Sequence, residues 1–321
     1  MKRLFAVLVL GSFSVKAQTI TETFGSGANQ FEIDFVEIGN PGNDADTTGT
    51  PSPGGRVEYV YNIGKYEISR DIINKANASF GLAISLGDMT LYGGNGANRP
   101  ATGISWFEAA KFVNYLNTSK NYHVAYNFDS NGNFQFWGVG HYIGNNQLRH
   151  KDAYYFLPSV DEWYKAAYGS PSGTWYKYGT GSDNAPAPVT SGTEAETAIY
   201  GQQGPADIFD AGGLNAYGVM AMTGNVWEWT ESWHQNYSDN FQSSSQARGG
   251  AWYSGDDTSP WNSASGEAYG SGGISANAFA GFAQEYEFVA NGFRVAMVPE
   301  PSSLSLLLVG GTVLMAGRRT N

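Results

Sequence analysis

Apolar and acidic side chains alternate from Phe31 to Ile38, with Phe31, Ile33 and Phe35 separated by Glu32 and Asp34. A period of two sends one set of side chains to one face, so the run predicts a half-buried strand. Residues 57–68 read as a second β segment, with Val57, Tyr59 and Tyr61 sharing a face. The period changes after Ser105. Trp106, Ala109, Ala110, Val113, Leu116 and Asn117 recur at helical spacing. Ser105-Trp106-Phe107-Glu108 ahead of them is a capping box, in which the hydroxyl and the carboxylate each satisfy an orphan amide. Ser159-Val160-Asp161-Glu162 repeats the device, with Val160, Trp163, Ala166 and Ala167 as its apolar stripe. Gly169 is placed to end that helix as a C′ residue. A further helix is expected after Ser69, on Ile72, Ile73 and Ala76. Residues 40–55 are rich in Pro and Gly and read as a loop, and residues 125–137 read as a hairpin turning at Asp129-Ser130-Asn131-Gly132. Beyond Gly169 the chain becomes Gly-rich loops and short strands. The pattern predicts an α+β fold: a few helices on short antiparallel strands, joined by long loops.

Composition sharpens this picture. Of 321 residues, 41% are hydrophobic and 15% charged, which suits a folded chain. The 42 glycines, 9 tryptophans and 20 tyrosines favour a loop-rich fold over a helical bundle. The chain has no cysteine, which excludes disulfides, cysteine-ligated zinc, iron–sulfur clusters and a cysteine nucleophile. The formal charge is −11. Lys2, Arg3, Lys16, Arg318 and Arg319 occupy the ends, whereas every Asp and Glu lies between residues 18 and 300. The central region is therefore more acidic still, which disfavours nucleic acid as a partner.

The ends read as addresses. Residues 1–17 carry Lys2 and Arg3, an apolar run from Leu4 to Val15, and small or branched residues at Val15 and Ala17. They are expected to form a secretory signal cut after Ala17. At the other end, Val298-Pro299-Glu300-Pro301 precedes an almost uncharged apolar stretch, residues 302–317, and then Arg318-Arg319. This order of Pro-Glu-Pro box, apolar helix and basic end resembles the PEP-CTERM sorting signal of Gram-negative bacteria. The resemblance implies export and transient anchoring in the inner membrane through a helix at 302–317. It also implies cleavage by an exosortase-type enzyme and a destination at the cell surface or in extracellular matrix. An ordinary C-terminal anchor is the alternative. The expected division is a signal at 1–17, one domain at 18–298, and a sorting segment at 299–321.

Inside the domain, several blocks follow in order. They are Gly64-Lys65-Tyr66-Glu67-Ile68-Ser69, Pro100-Ala101-Thr102-Gly103-Ile104-Ser105-Trp106 and Phe156-Leu157-Pro158-Ser159-Val160-Asp161-Glu162-Trp163. After Tyr217-Gly218-Val219-Met220 come Gly224-Asn225-Val226-Trp227-Glu228-Trp229, then Arg248-Gly249-Gly250-Ala251-Trp252 and Asn291-Gly292-Phe293-Arg294-Val295. Together they resemble the formylglycine-generating enzyme family, or sulfatase-modifying factors, over about residues 57–296. The resemblance implies a C-type-lectin-like α+β fold. It also implies, for the family's enzymes, oxidation of a substrate cysteine on copper held by two cysteines, or iron-dependent sulfoxide synthesis in a related branch.

The sequence departs from the family at the chemistry. By spacing, the family's cysteines fall near Ser254 and Ser259, and a hydroxyl is a poor ligand for copper(I). No copper is expected. An iron centre would need clustered histidines, and His123, His141, His150 and His234 show no close spacing. The resemblance also places a calcium site on the Gly-Asn-Val-Trp-Glu loop, with Gly224, Val226 and Glu228 matching the ligands and Ala221 standing where an upstream Asp or Asn belongs. The alternative for Glu228 is pairing with backbone amides or an arginine. Asn127–Gly132 begins like a calcium loop but has Gly138 where the closing Glu is needed, so it is expected to be a turn. Asp44 and Asp46 are expected in a solvated loop, with cation binding as the alternative, and Arg248 and Arg294 as ion-pair partners of loop carboxylates rather than substrate clamps. The expectation for function is an exported, surface- or matrix-associated binding module for glycan or another polymer, or a structural module. The alternative is an oxidoreductase of the family with rebuilt, iron-dependent chemistry.

Overall fold

The computed structural model describes residues 19–233, 244–256, 260–262, 268–271 and 273–299. The expected signal at 1–17, the apolar segment at 302–317, His234 and Ser259 lie outside the described residues. Among the described residues no helix is long and apolar enough to cross a membrane.

The chain opens with β1 (Thr19–Phe24), β2 (Phe31–Ile38) and β3 (Tyr61–Gly64), followed by helix α1 (Arg70–Phe80) and helix α2 (Trp106–Ser119). A small hairpin, β4 (Asn127–Phe128) and β5 (Phe134–Gln135), leads to β6 (Tyr155–Phe156) and helix α3 (Val160–Tyr168). Short strands β7 (Ala187–Pro188) and β8 (Thr197–Ala198) precede β9 (Trp227–Trp233) and β10 (Ser244–Arg248). Then come β11 (Pro260–Asn262), β12 (Ala268–Ser271), β13 (Phe279–Ala283), β14 (Asn291–Gly292) and β15 (Ala296–Met297). One five-stranded antiparallel sheet runs β1-β2-β3-β15-β6. A six-stranded sheet runs β11-β12-β13-β10-β9-β14 and is antiparallel except for the β14–β9 pair. The α+β reading holds.

The strand expected at Phe31–Ile38 has those bounds, but it is buried more deeply than alternation alone requires. Phe31, Ile33 and Phe35 join α1 and α2 in one core, while Val36 and Ile38 join a second core on the opposite face, with α3. The β segment expected at 57–68 contracts to β3; Tyr59 lies outside it, half-exposed, with its hydroxyl donating to Glu162, 2.6 Å away.

Both capping boxes form. Ser105 Oγ accepts from the Glu108 amide and Ser159 Oγ from the Glu162 amide, while each glutamate accepts from its own N-cap amide. Helix α1 starts at Ser69, whose Oγ accepts from Ile72 N, and ends at left-handed Gly81. Gly169 ends α3 without the expected left-handed turn. Its φ is −83°, and glycine is needed there because a Cβ would lie 2.7 Å from the Lys165 carbonyl oxygen. Asn117, read from its spacing as part of an apolar stripe, is buried and polar. Its Nδ2 donates to Tyr155 O and its Oδ1 accepts from Tyr154 N and Tyr155 N, tying α2 to β6.

Candidate functional site

The sequence blocks meet in one buried network. Glu228, on β9, accepts from Arg294 Nε and NH2 at 2.5 Å each and from Trp163 Nε1 at 2.7 Å. The remaining Arg294 donors reach Gly64 O at 2.8 Å and Met220 O at 3.0 Å. Both side chains are fully buried. Beside them Glu67 accepts from Asn225 Nδ2 at 2.5 Å and Val226 N at 3.3 Å. Burial, then the neighbouring Glu228, pushes the Glu67 carboxyl up to about 8, against the pull of Arg294. The Arg-Gly-Gly block is tied in through Gly224 N to Gly249 O and Trp252 N to Asn225 O, 2.8 Å each. Gly292 lets β14 approach the Ala101 carbonyl, which a Cβ would meet at 2.8 Å.

This geometry bears on calcium. Both oxygens of Glu228 already face a guanidinium or an indole N–H, and Ala221 offers no side-chain oxygen. Glu67, raised by burial, already accepts from Asn225 Nδ2 and Val226 N. Arg294 supplies the positive charge that a cation would bring, so the donor set around Gly224, Val226 and Glu228 does not fit a calcium ion. Among the described residues, no group of His, Asp or Glu is arranged to hold a metal. Asp46 and Asp129 also have structural partners. Asp46 accepts from Tyr164 OH at 2.6 Å and from Thr48 N and Oγ1, and Asp129 accepts from the Asn131 and Asn133 amides of the hairpin turn. Asp46 is buried, not solvated.

Arg294 is an ion-pair partner as expected, but among the described residues Arg248 is not. Arg248 NH2 donates to the carbonyls of Thr50 at 2.6 Å and Ala276 at 3.2 Å. Its guanidinium lies 5.4 Å from the Tyr164 ring and 5.9 Å from the Trp163 ring. Aromatic faces replace the expected carboxylate.

Ser254, near which the family's cysteines are expected by spacing, is a buried turn residue. Its Oγ accepts from Ala251 N at 3.0 Å, its amide donates to Ala251 O, and its carbonyl accepts from Gly201 N. Around it runs a band of aromatic rings. Tyr92 lies 5.7 Å from Trp252, Trp252 meets Tyr253 edge-on at 5.8 Å, and Tyr253 approaches Phe288 at 6.2 Å. Tyr286 and Phe288 stack with an interplanar angle of 8°. Tyr253 is 47% exposed. Its hydroxyl points inward, accepts from Trp227 Nε1 at 3.0 Å, and is pushed up to about 12 by burial.

Three histidines gather where their spacing gave no sign of it. The His123 and His150 rings stack in parallel, 3.5 Å apart, and His141 Nδ1 lies 3.3 Å from His150 Nε2. Asp152 N–H donates to His150 Nδ1 at 3.2 Å, so that nitrogen accepts and Nε2 carries the proton toward His141. His123 Nδ1 faces the Val124 carbonyl at 2.9 Å. The nitrogens engage neighbours rather than a common point. Burial, then His123, holds His150 below its ordinary pKa. The convergence depends on the loop that brings residues 141–150 back onto Trp137, whose amide donates to Gln147 O and whose Nε1 donates to Ala125 O. No local spacing encodes that fold-back.

Next to the histidines, Arg149 bridges Glu162 and Glu231 at 3.2 and 3.1 Å. Burial would lower the Arg149 guanidinium, but the two carboxylates together raise it above its ordinary value. Burial pushes Glu231 up to about 7, even though Arg149 opposes it. Tyr126 OH donates to Glu231 Oε2 at 2.9 Å, and Asn146 Nδ2 to Oε1 at 2.5 Å.

A family model for the sulfatase-modifying factor enzyme 1-like domain matches residues 56–296. The chain belongs to the sulfatase-modifying factor family. The matched span agrees with the 57–296 range of the sequence blocks. Comparison with curated proteins finds no match. Among solved structures, the chain is similar to one described as the crystal structure of CarF, at 19% identity and a TM-score of 0.56, covering 84% of this chain and 99% of that one. It is similar to Treponema denticola variable protein 1 at 20% identity and a TM-score of 0.52, covering 87% and 99%. It is also similar to PvdO from Pseudomonas aeruginosa at 15% identity and a TM-score of 0.50, covering 87% and 98%. At such identities the likeness establishes the shared fold. The sulfatase-modifying factor blocks, placed on this structure, build the buried hub around Glu228 and Arg294.

Proposed function

We propose that this sulfatase-modifying factor domain is an exported, non-catalytic binding module that uses a C-type-lectin-like scaffold to hold a glycan or another extracellular polymer. The observation that carries this reading is Ser254. Where the family's enzymes place a metal-binding thiol, this chain has a hydroxyl that accepts a hydrogen bond from Ala251 N and is shut into a turn. The exposed ring of Tyr253 beside it, with Tyr92 and Phe288, suits stacking on a sugar face. Residues 1–17 and 299–321 supply the export part of the reading as a signal peptide and a PEP-CTERM segment. On that reading the protein passes through the inner membrane, meets an exosortase-type enzyme, and ends at the cell surface or in matrix.

The test is a polysaccharide and glycan-array screen with the purified protein and with Tyr253→Ala. The expected result is carbohydrate binding that Tyr253→Ala reduces at least tenfold while the melting temperature stays within a few degrees. The second reading is an oxidoreductase of the family with rebuilt, iron-dependent chemistry, for which His123, His141 and His150 would have to turn their nitrogens from their present partners toward one point. Stoichiometric iron in the purified protein, found by metal mass spectrometry, would replace the binding reading with that one.

A further inference from the structure

A cavity of about 590 Å³ lies between Tyr59–Val60, the loop carrying Ile143 to Ala153, Phe156, and Val298–Pro299. It shares no lining residue with the aromatic band at Ser254. Its size falls within the ordinary range for small-molecule sites. Polar side chains line part of it, but each already has a protein partner. Arg149 is held by Glu162 and Glu231 and lies 3.8 Å above the Phe156 ring. Asn146 gives its amide to Glu231 and accepts from Leu148 N. Tyr59 OH donates to Glu162, and Lys151 Nζ pairs with Asp152 at 2.8 Å. What the cavity presents is hydrocarbon: Val60, Ile143, Ala153, Phe156 and Val298. Ile143 is 73% exposed at the rim, and Val298 is 37% exposed. Apolar surface left open to water beside a concave site is surface that a ligand would cover.

We propose that this cavity binds the hydrocarbon chain of a single amphiphile, such as a fatty acid, and leaves the head group outside. The walls read chain length, and no unpaired charge reads the head group. The reading is independent of polymer binding at Tyr253.

The test is fluorescence of N-phenyl-1-naphthylamine with the full chain, displaced by decanoate, dodecanoate and tetradecanoate below their micelle concentrations. Affinity is expected to rise about fourfold per added methylene. Dodecyl maltoside is expected to compete within about threefold of dodecanoate. Val60→Trp fills the cavity, and Ile143→Asp places a charge at its rim. Each is expected to weaken displacement tenfold or more with an unchanged melting temperature. Should Val60→Trp fail to fold, Ile143→Asp, at an exposed position, carries the test. Affinity that ignores chain length, or that Ile143→Asp leaves unchanged, overturns the proposal. So does binding to phosphatidylcholine vesicles without binding to monomeric dodecanoate.

Discussion

Glu228 and Arg294 show how much of this molecule hangs on single side chains. Removing one partner of a fully buried ion pair leaves a charge with neither water nor counter-charge, which costs about 3–5 kcal/mol. Arg294→Leu is therefore expected to lower chemical-denaturation stability by that amount, whereas a loss below about 1 kcal/mol would mean that the pair is peripheral. The same pair bears on calcium. Because Arg294 already serves Glu228, EDTA is expected to leave the unfolding midpoint unchanged, and a fall of several degrees restored by calcium would contradict that. Glu67 and Glu231 make a pH prediction. Both carboxyls are raised in the folded state, to about 8 and about 7, so the native protein binds more protons than the unfolded chain above the ordinary range near 4.5. Their contribution to stability is full below that value. It falls as pH rises through the window and is lost once pH passes about 8 for Glu67 and about 7 for Glu231. Midpoints measured across pH 5–8 are expected to slope downward, and Glu67→Gln to flatten the slope.

At the scale of elements, the capping boxes are what the sequence states most plainly. Ser followed three residues later by Glu announces α2 and α3 without reference to anything distant, and both helices start where the boxes place them. Ser105→Ala is expected to cost about 0.5–2 kcal/mol, read as a shift in denaturant midpoint with unchanged slope. The strand at Phe31–Ile38 was equally legible, since its alternation is local. Elements whose shape depends on remote partners were not. Residue 59 falls outside the strand and is tied instead to Glu162 on α3, and Gly169 answers to a carbonyl's approach rather than to a left-handed turn. The site divides in the same way. The Glu228–Arg294 pair could be anticipated because both lie in sequence blocks. The His123–His141–His150 group and the Arg149 bridge are made by loops folding back, and no spacing along the chain records them.

For the whole molecule, the arrangement of the last strands matters most. The β14 strand closes the six-stranded sheet against β9, and after three residues β15 enters the other sheet between β3 and β6. Arg294, between them, brings the only charge-matching partner that Glu228 has among the described contacts. A chain ending at residue 290 lacks all three, and it is expected to remain protease-sensitive under conditions in which the full chain resists digestion. The order of synthesis gives this stitch a further meaning. While the ribosome is still making the first nine-tenths of the polypeptide, neither sheet can be completed and the central carboxylate has no counter-charge. Until residues 291–297 are made, both sheets lack a strand that the rest of the chain cannot supply.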